Sequence, residues 1–295
     1  MSEGAKFRRV AVLGTGLIGG SFALAVKRAI PGAEIAGHDR PEALEKAKAR
    51  GVVDEAHESI AGAVRGADLV YAALPIVATI QSLGEIAEAA APGALVTDAC
   101  STKAAVCRAA AEKFRSEGGA RFLGGHPMAG KEASGVEQAD AELFHGTPYV
   151  LVGAEAGDLL TADARVDAFV DLLEKIGGEP VWFDAETHDW AVGIVSHLPQ
   201  MVAVALARVV QNETDETGLP ISLAGTGLRD TLRLAGSPYS VWRDVCLTNT
   251  ENLRRALDQM QQAVEHLRTH LTNRELEAEF RAANEIYRAL QKGQG

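Results

Sequence analysis

At 295 residues the chain is long enough for about two domains of ordinary size and a sizeable buried core. Its formal net charge of −11 argues against a general nucleic-acid surface, although local arginines can still hold a small anion against that field. Three cysteines without CxxC spacing (Cys100, Cys107 and Cys246) point to free thiols in a reducing compartment. No signal-peptide pattern opens the chain. The most apolar stretch, Val195 to Val210, is interrupted by His197, Pro199, Gln200 and Arg208 and falls short of the roughly 20 residues of a membrane helix. A cytoplasmic protein with no membrane and no nucleic-acid partner is therefore expected.

Arg9 to Leu13 is a short apolar run of the kind found in buried parallel strands. It runs into Gly14-Thr15-Gly16-Leu17-Ile18-Gly19, a G-x-G-x-x-G sequence followed by a helical stretch from Phe22 to Ala29. Gly14 permits the tight turn, Gly16 lets a pyrophosphate approach the backbone, and Gly19 lets helix and strand pack closely. The helix N-terminus then presents N–H groups and a positive dipole end to phosphate. A second strand from Glu34 to Gly37 leads to His38 and Asp39, which stands 20 residues past Gly19, where an acid bonds the ribose 2′-hydroxyl. Strand, glycines, helix, strand and terminal acid together predict dinucleotide binding. Asp39 favours NAD, because its carboxylate would repel a 2′-phosphate, and the adjacent Arg40 leaves NADP open.

Helices expected at Pro41–Arg50 and Thr79–Ala90 alternate with strands expected at Ala67–Leu74 and Ala94–Asp98. This alternation predicts an α/β fold, a Rossmann-type doubly wound parallel sheet. Ligands in such sheets bind outside the carboxyl ends of the strands, where Leu74-Pro75 and the Ser101 segment should lie. Ser101 fits either a helix N-cap or a hydroxyl offered to a ligand. Lys103 would either reach the cofactor or stand in solvent, and Cys100 reads as a packed thiol. Gly125-His126-Pro127-Met128-Ala129-Gly130 follows a strand-like run, so His126 is expected in a glycine-rich loop on the ligand side. There it can serve as a proton acceptor near neutral pH.

A strand at Tyr149–Val152, a helix at Ala162–Ile176 and a last strand at Glu179–Phe183 complete the predicted sheet. From Glu186 onward only helices are expected, so the domain boundary is placed near Ala185, giving 1–185 and 186–295. The apolar face of the first of these helices (Val192, Val195, Leu198, Val202, Leu206) calls for a partner, and a homodimer supplies one. His197 on that helix is either satisfied structure or a pocket group. Arg229 and Arg233, four residues apart, share a helix face and suit a carboxylate. His266 and His270 are also four apart, but they lack the glutamate of an HExxH motif, and no metal is expected. His38, His57, His145 and His188 belong to no evident constellation.

Five segments in order carry a resemblance. They are Gly14 to Ser21, Thr97-Asp98 with Ser101 and Lys103, Gly125 to Gly130 with Glu132, Ser134 and Gly135, Ser196-His197-Leu198-Pro199, and Trp242-Arg243-Asp244. Together they resemble the prephenate/arogenate (cyclohexadienyl) dehydrogenase family over nearly the whole chain. The resemblance implies a Rossmann domain followed by an all-α dimerisation domain. It also implies oxidative decarboxylation of prephenate to 4-hydroxyphenylpyruvate with hydride transfer to NAD, in tyrosine biosynthesis, or of arogenate to tyrosine. His126 would then take or polarise the substrate hydroxyl proton, with Ser101 in the same hydrogen-bonded cluster. His197 would help bind substrate, Arg233 would match the substrate-carboxylate arginine, and Glu132 would lie near the pocket entrance. Two other readings stand beside it. A β-hydroxyacid dehydrogenase shares the architecture, but it needs a catalytic lysine in a helical half that offers almost none before Lys292. A non-catalytic dinucleotide sensor would bind the cofactor and turn nothing over.

Overall fold

A computed structural model describes residues 7–115, 118–131, 134–152, 163–214 and 216–292. Glu132 lies outside the described residues. The chain forms two compact units, Met1–Thr250 and Glu251–Gly295.

The first unit is built on one eight-stranded sheet. Its strands are β1 (Arg9–Leu13), β2 (Glu34–His38), β3 (Glu55–Ala56), β4 (Leu69–Ala72), β5 (Leu95–Asp98), β6 (Arg121–Pro127), β7 (Pro148–Val152) and β8 (Glu179–Trp182). The spatial order is β3-β2-β1-β4-β5-β6-β7-β8. All neighbours pair in parallel except β6 and β7, which pair antiparallel with His126 opposite Val150. The expected Rossmann-type doubly wound sheet is thus present with β7 and β8 reversed. The two-residue strand β3 had no signal, being too short and too polar for a period-2 pattern.

Buried apolar residues cover both faces. Val10, Val12, Tyr71, Leu95, Leu123, Tyr149 and Leu151 pack beneath α1 (Leu17–Ala29) and α6 (Ala164–Lys175), with Phe22 stacked on Tyr71 at 3.7 Å. Leu13, Val70, Val96, Val150 and Val152 pack on the other face beneath α4 (Ile76–Ala89) and α5 (Ala104–Lys113). The strand order reverses between β1 and β4, which opens the crevice where such sheets bind ligands.

After Trp182 the described residues form helices joined by turns, with no further strand among them. α7 (Ala185–Val192), a single π turn (Gly193–His197) and α8 (Leu198–Glu213) run on without a break. The result is a 29-residue helical stretch whose most apolar 18 residues have a mean hydropathy of 1.5, long and apolar enough by length and composition to cross a membrane. This corrects the expectation that no segment reaches that length. Pro199 falls in the first turn of α8, where its missing N–H costs little, and the π turn before it absorbs the misfit. Trp190, Val195, Val204 and Val209 are exposed along this stretch. Next come α9 (Thr226–Leu232) and α10 (Tyr239–Thr248), which ends at Asn249.

The second unit is a pair of amphipathic helices, α11 (Thr250–Thr269) and α12 (Glu275–Lys292). His266 pairs with Glu279 at 3.3 Å and His270 with Glu275 at 2.6 Å. Leu271, Phe280, Ile286 and Leu290 are exposed.

One glycine governs the strand end that carries His126. A Cβ on Gly125 would stand 2.5 Å from the Asp98 carbonyl oxygen and 2.9 Å from Thr97 Oγ1, both on the adjoining strand. Gly16, in contrast, has open space where its Cβ would point. Gly125→Ala should therefore lower Tm by roughly 5–10 °C, whereas Gly16→Ala should leave it within about 2 °C. Thermal unfolding of the two variants beside the parent checks this.

Candidate active site

His126 lies one residue before the end of β6 rather than in a loop, because Gly124 to Pro127 stay paired with β7. The strand supplies a rigid mount. Its ring meets that of His188, on α7, edge to face at 5.1 Å, with His126 Nδ1 2.8 Å from His188 Nε2. His188 Nδ1 lies 2.8 Å from Asp189 Oδ1. Both α7 side chains are buried. Burial, then the neighbouring His188, Lys103 and His197, hold His126 well below the ordinary histidine value, so the ring is neutral at physiological pH. His188, which belonged to no constellation in the sequence, is thus a direct neighbour of the candidate base. Its partner stands 62 residues away on a strand, a distance no local pattern encodes.

His197 closes the π turn and is almost fully buried, as Gln200 and Ala203 one turn on are. Its Nδ1 lies 3.2 Å from Asn249 Nδ2, an amide donor, so the ring hydrogen is left on Nε2. Asn249 also donates to the Asp189 carbonyl at 2.7 Å. Trp242 covers the His197 ring edge to face at 5.8 Å. Burial lowers the His197 pKa to about 4 despite the nearby Asp189. The sequence flagged His197 and Trp242, but Asn249 had no signal beyond its place at a helix break.

Beneath His126 lies a buried ion pair. Lys103, with no exposed surface, donates from Nζ to Asp98 Oδ2 and to the Gly125 carbonyl oxygen, the latter at 2.6 Å. Asp98 accepts in addition from Cys100 N at 2.9 Å and from Gly125 N at 3.1 Å. Burial pulls the Lys103 amine down, and the Asp98 carboxylate more than offsets this, leaving it above the ordinary lysine value. Lys103 is therefore not solvated, and the Asp98 carboxylate takes up its charge inside the protein.

Ser101 is not the N-cap of α5 either. That helix starts at Ala104, and Asp189 caps it from α7, accepting from Lys103 N at 2.6 Å and Ala104 N at 2.9 Å. Ser101 stays half-buried just past the end of β5, the strand that neighbours β6. Cys100 is buried, and burial drives its thiol pKa far up, which fits the packed-thiol reading.

The glycine-rich turn lies across the crevice. Gly14 has φ +87°, and a Cβ there would meet the Ala73 carbonyl oxygen at 2.5 Å, beside Leu74 and Pro75 at the end of β4. Thr15 is buried, and Leu17 and Ile18 open α1 behind Gly16, whose N-cap position has no side-chain acceptor. A Cβ on Gly19 would fall 1.9 Å from the Gly14 carbonyl oxygen, so the helix can pack this closely only on glycine. Asp39 Oδ2 accepts from Thr15 N at 2.6 Å and Thr15 Oγ1 at 3.1 Å. Gly16, Asp39, Arg40 and Gly135 help to line a cavity of about 610 Å³. Two other helices that point at this edge are already satisfied. Asp189 caps α5, and Asp244 of the Trp-Arg-Asp segment accepts from Val77 N at the start of α4. The N-terminus of α1 is left with donors for an anion, and the open space at Gly16 gives it room. These residues fit a dinucleotide.

Arg229 and Arg233 stand on and just after α9, both exposed. Arg229 borders an apolar hollow of about 520 Å³ with Val210, Ile221 and Leu232.

His197 makes stability depend on pH. Between about pH 6.5 and pH 4 the unfolded chain takes up a proton there that the folded chain refuses. Stability should therefore fall as pH drops through that window, by up to about 3 kcal/mol from this residue. Thermal unfolding followed from neutral pH down to about pH 4 should show a shallower decline for His197→Gln than for the parent.

Two family models account for most of the chain. Prephenate dehydrogenase, nucleotide-binding domain, matches residues 22–181, and prephenate dehydrogenase, dimerization domain, matches residues 184–285. A prephenate dehydrogenase of Lactococcus lactis is 35% identical over 272 residues, which is 92% of this chain and 73% of the relative. The crystal structure of prephenate dehydrogenase from Aquifex aeolicus in complex with hydroxyphenyl propionate and NAD+ superposes with a TM-score of 0.85. It is 29% identical and covers 97% of this chain and 98% of that one. That of Synechocystis arogenate dehydrogenase gives a TM-score of 0.78 at 30% identity, covering 96% and 99%. On the two domain matches and these relatives, the chain belongs to the prephenate dehydrogenase family.

Proposed function

We propose that the protein catalyses the oxidative decarboxylation of prephenate to 4-hydroxyphenylpyruvate with NAD, a step of tyrosine biosynthesis. The observation that carries this reading is His126. It is a neutral imidazole on a rigid strand end, engaged at Nδ1 and, among the described residues, without a hydrogen-bond partner at Nε2, the atom that would meet a substrate hydroxyl, across the crevice from the glycine-rich turn. NAD, when bound, supplies the hydride acceptor.

His126 Nε2 takes the proton of the ring hydroxyl as that carbon is oxidised. Ser101, past the end of the neighbouring strand, hydrogen-bonds in the same cluster. His197, neutral above about pH 4, offers an Nε2–H donor to the substrate. The two rings therefore play opposite parts, one accepting and one donating, because His188 and Asn249 engage their Nδ1 atoms in opposite senses. Arg233, with Arg229 beside it, binds substrate carboxylate. Loss of the ring carboxylate as carbon dioxide and aromatisation of the ring drive the reaction forward, with no metal called for. Gly14, Thr15, Gly16, Leu17, Ile18, Gly19, Leu74 and Pro75 hold the dinucleotide, and Asp39 selects NAD over NADP at the ribose.

The nucleotide-binding part ends near Ala185, and the helices beyond it mediate a homodimer. The dimerization-domain match over 184–285 and the exposed apolar side chains of Ala185–Glu213 support this. Covering that stretch with a second copy accounts for its hydropathy in a cytoplasmic enzyme.

Initial rates with prephenate and with arogenate, each with NAD and NADP, test the reading through absorbance of the reduced cofactor. Prephenate with NAD should be the fastest pair, and turnover confined to arogenate would move the substrate assignment to the amino analogue. His126→Asn should lower kcat about 100-fold or more while NAD affinity stays within about twofold. Asp39→Ser should cut the preference for NAD over NADP about tenfold or more.

A further inference from the structure

His188 and Asp189 belong to none of the motifs that point to the family, yet they control the one free nitrogen of the candidate base. A carboxylate can only accept, so the 2.8 Å contact between Asp189 Oδ1 and His188 Nδ1 places a hydrogen on that nitrogen. A neutral His188 then has its lone pair on Nε2, which faces His126 Nδ1 at 2.8 Å. His126 must donate from Nδ1, and its own lone pair is left on Nε2, the tautomer a proton acceptor needs.

The geometry points to His188 and Asp189 as positioning residues: Asp189, acting through His188, holds His126 with its hydrogen on Nδ1 and shares the positive charge His126 gains in turnover. This rests on the reading of His126 as the proton acceptor. The charged and titratable groups around His126 come from three elements. Lys103, paired with Asp98, lies beyond the end of β5, His188 and Asp189 are on α7, and His197 is on the π turn. Of these, only His188 both touches the ring and passes a contact on to a carboxylate.

The balance of the reaction suits such a line. The substrate O–H bond breaks and its proton goes to His126 Nε2, while the hydride equivalent leaves the ring carbon for the dinucleotide. The bond to the ring carboxylate then breaks, its electron pair enters the ring, and the phenolate oxygen takes the proton back. No net proton is released, so the site must hold one positive charge only for part of the cycle. The Nδ1 hydrogen of His126 lies on the short contact to His188, whose far nitrogen rests on Asp189. The charge therefore spreads over two rings toward an anion instead of staying on one desolvated imidazole.

Asp189 also caps α5, so a purely structural role must be told apart. Ring nitrogen NMR of the substrate-free full-length protein near neutral pH reads the tautomers directly. Wild type should show both His126 and His188 neutral with hydrogen on Nδ1. Asp189→Asn should move the His126 hydrogen to Nε2 and lower kcat about 100-fold or more, with KM for prephenate and Kd for NAD within about twofold. If loss of the cap unfolds that variant, His188 decides, because it caps no helix. His188→Gln can accept from His126 Nδ1 through its amide oxygen and should exceed His188→Phe in kcat by about tenfold or more. The inference is overturned if wild-type His126 carries its hydrogen on Nε2, or if His188 is doubly protonated. It is also overturned if Gln and Phe at position 188 give equal rates near that of the parent. A wild type that turns over no prephenate would sink the substrate assignment alone, since the ring spectra still decide the tautomer.

Discussion

The buried pairing of Lys103 with Asp98 is the constraint on which the site depends. A lysine and an aspartate without exposed surface would each be costly alone, and one amine here satisfies both the carboxylate and the carbonyl of Gly125. Asp98 also accepts hydrogen bonds from the backbone N–H groups of Cys100 and Gly125. The ends of β5 and β6 and the start of α5 are thereby tied at one point, directly under His126. The same amine adds positive potential beside the histidine and helps keep it neutral. One ion pair thus serves the shape of the strand ends and the protonation state of the base.

A second layer of carboxylates comes from helices that follow the sheet. Asp189 on α7 caps α5, and Asp244 on α10 caps α4. Helix starts that would otherwise attract any anion at the ligand edge are neutralised by the protein itself. The start of α1 has no such cap, and there the glycines leave room. The selection of one phosphate position among several helix termini follows from where the later helices place their acids. It also explains why α7 to α10 form one compact unit with the sheet, with the division falling at Thr250.

Much of the sheet was legible because apolar runs, glycines and a terminal acid recur in one order along the chain. Local signals were weaker where tertiary contacts decide. Lys103 was read as reaching the cofactor or standing in solvent, and only Asp98 and the Gly125 carbonyl of the adjoining strand show why it is inside. Ser101 fitted either a cap or a ligand hydroxyl, and the cap comes instead from Asp189, 86 residues from Lys103. His126 was expected in a loop because glycines surround it, whereas Gly125 is there to let two strands approach. Pro199 read as an interruption, and the π turn before it keeps the helix going. His188 and Asn249 carried no pattern, since each acts on a ring that is distant in sequence.

The match to the nucleotide-binding domain stops at residue 181, before α7 begins. The histidine near the end of β6 falls on one side of that seam, and the two residues that orient it fall on the other. Ancestry therefore cannot treat the two halves as interchangeable parts. A recombinant that joined the sheet of one family member to the helices of another would inherit a complete dinucleotide crevice, but with a base whose proton is governed by a foreign helix. Drift in the angle of α7 would be felt at the reacting atom before it was felt in cofactor affinity, which ties the two halves to a shared evolutionary history.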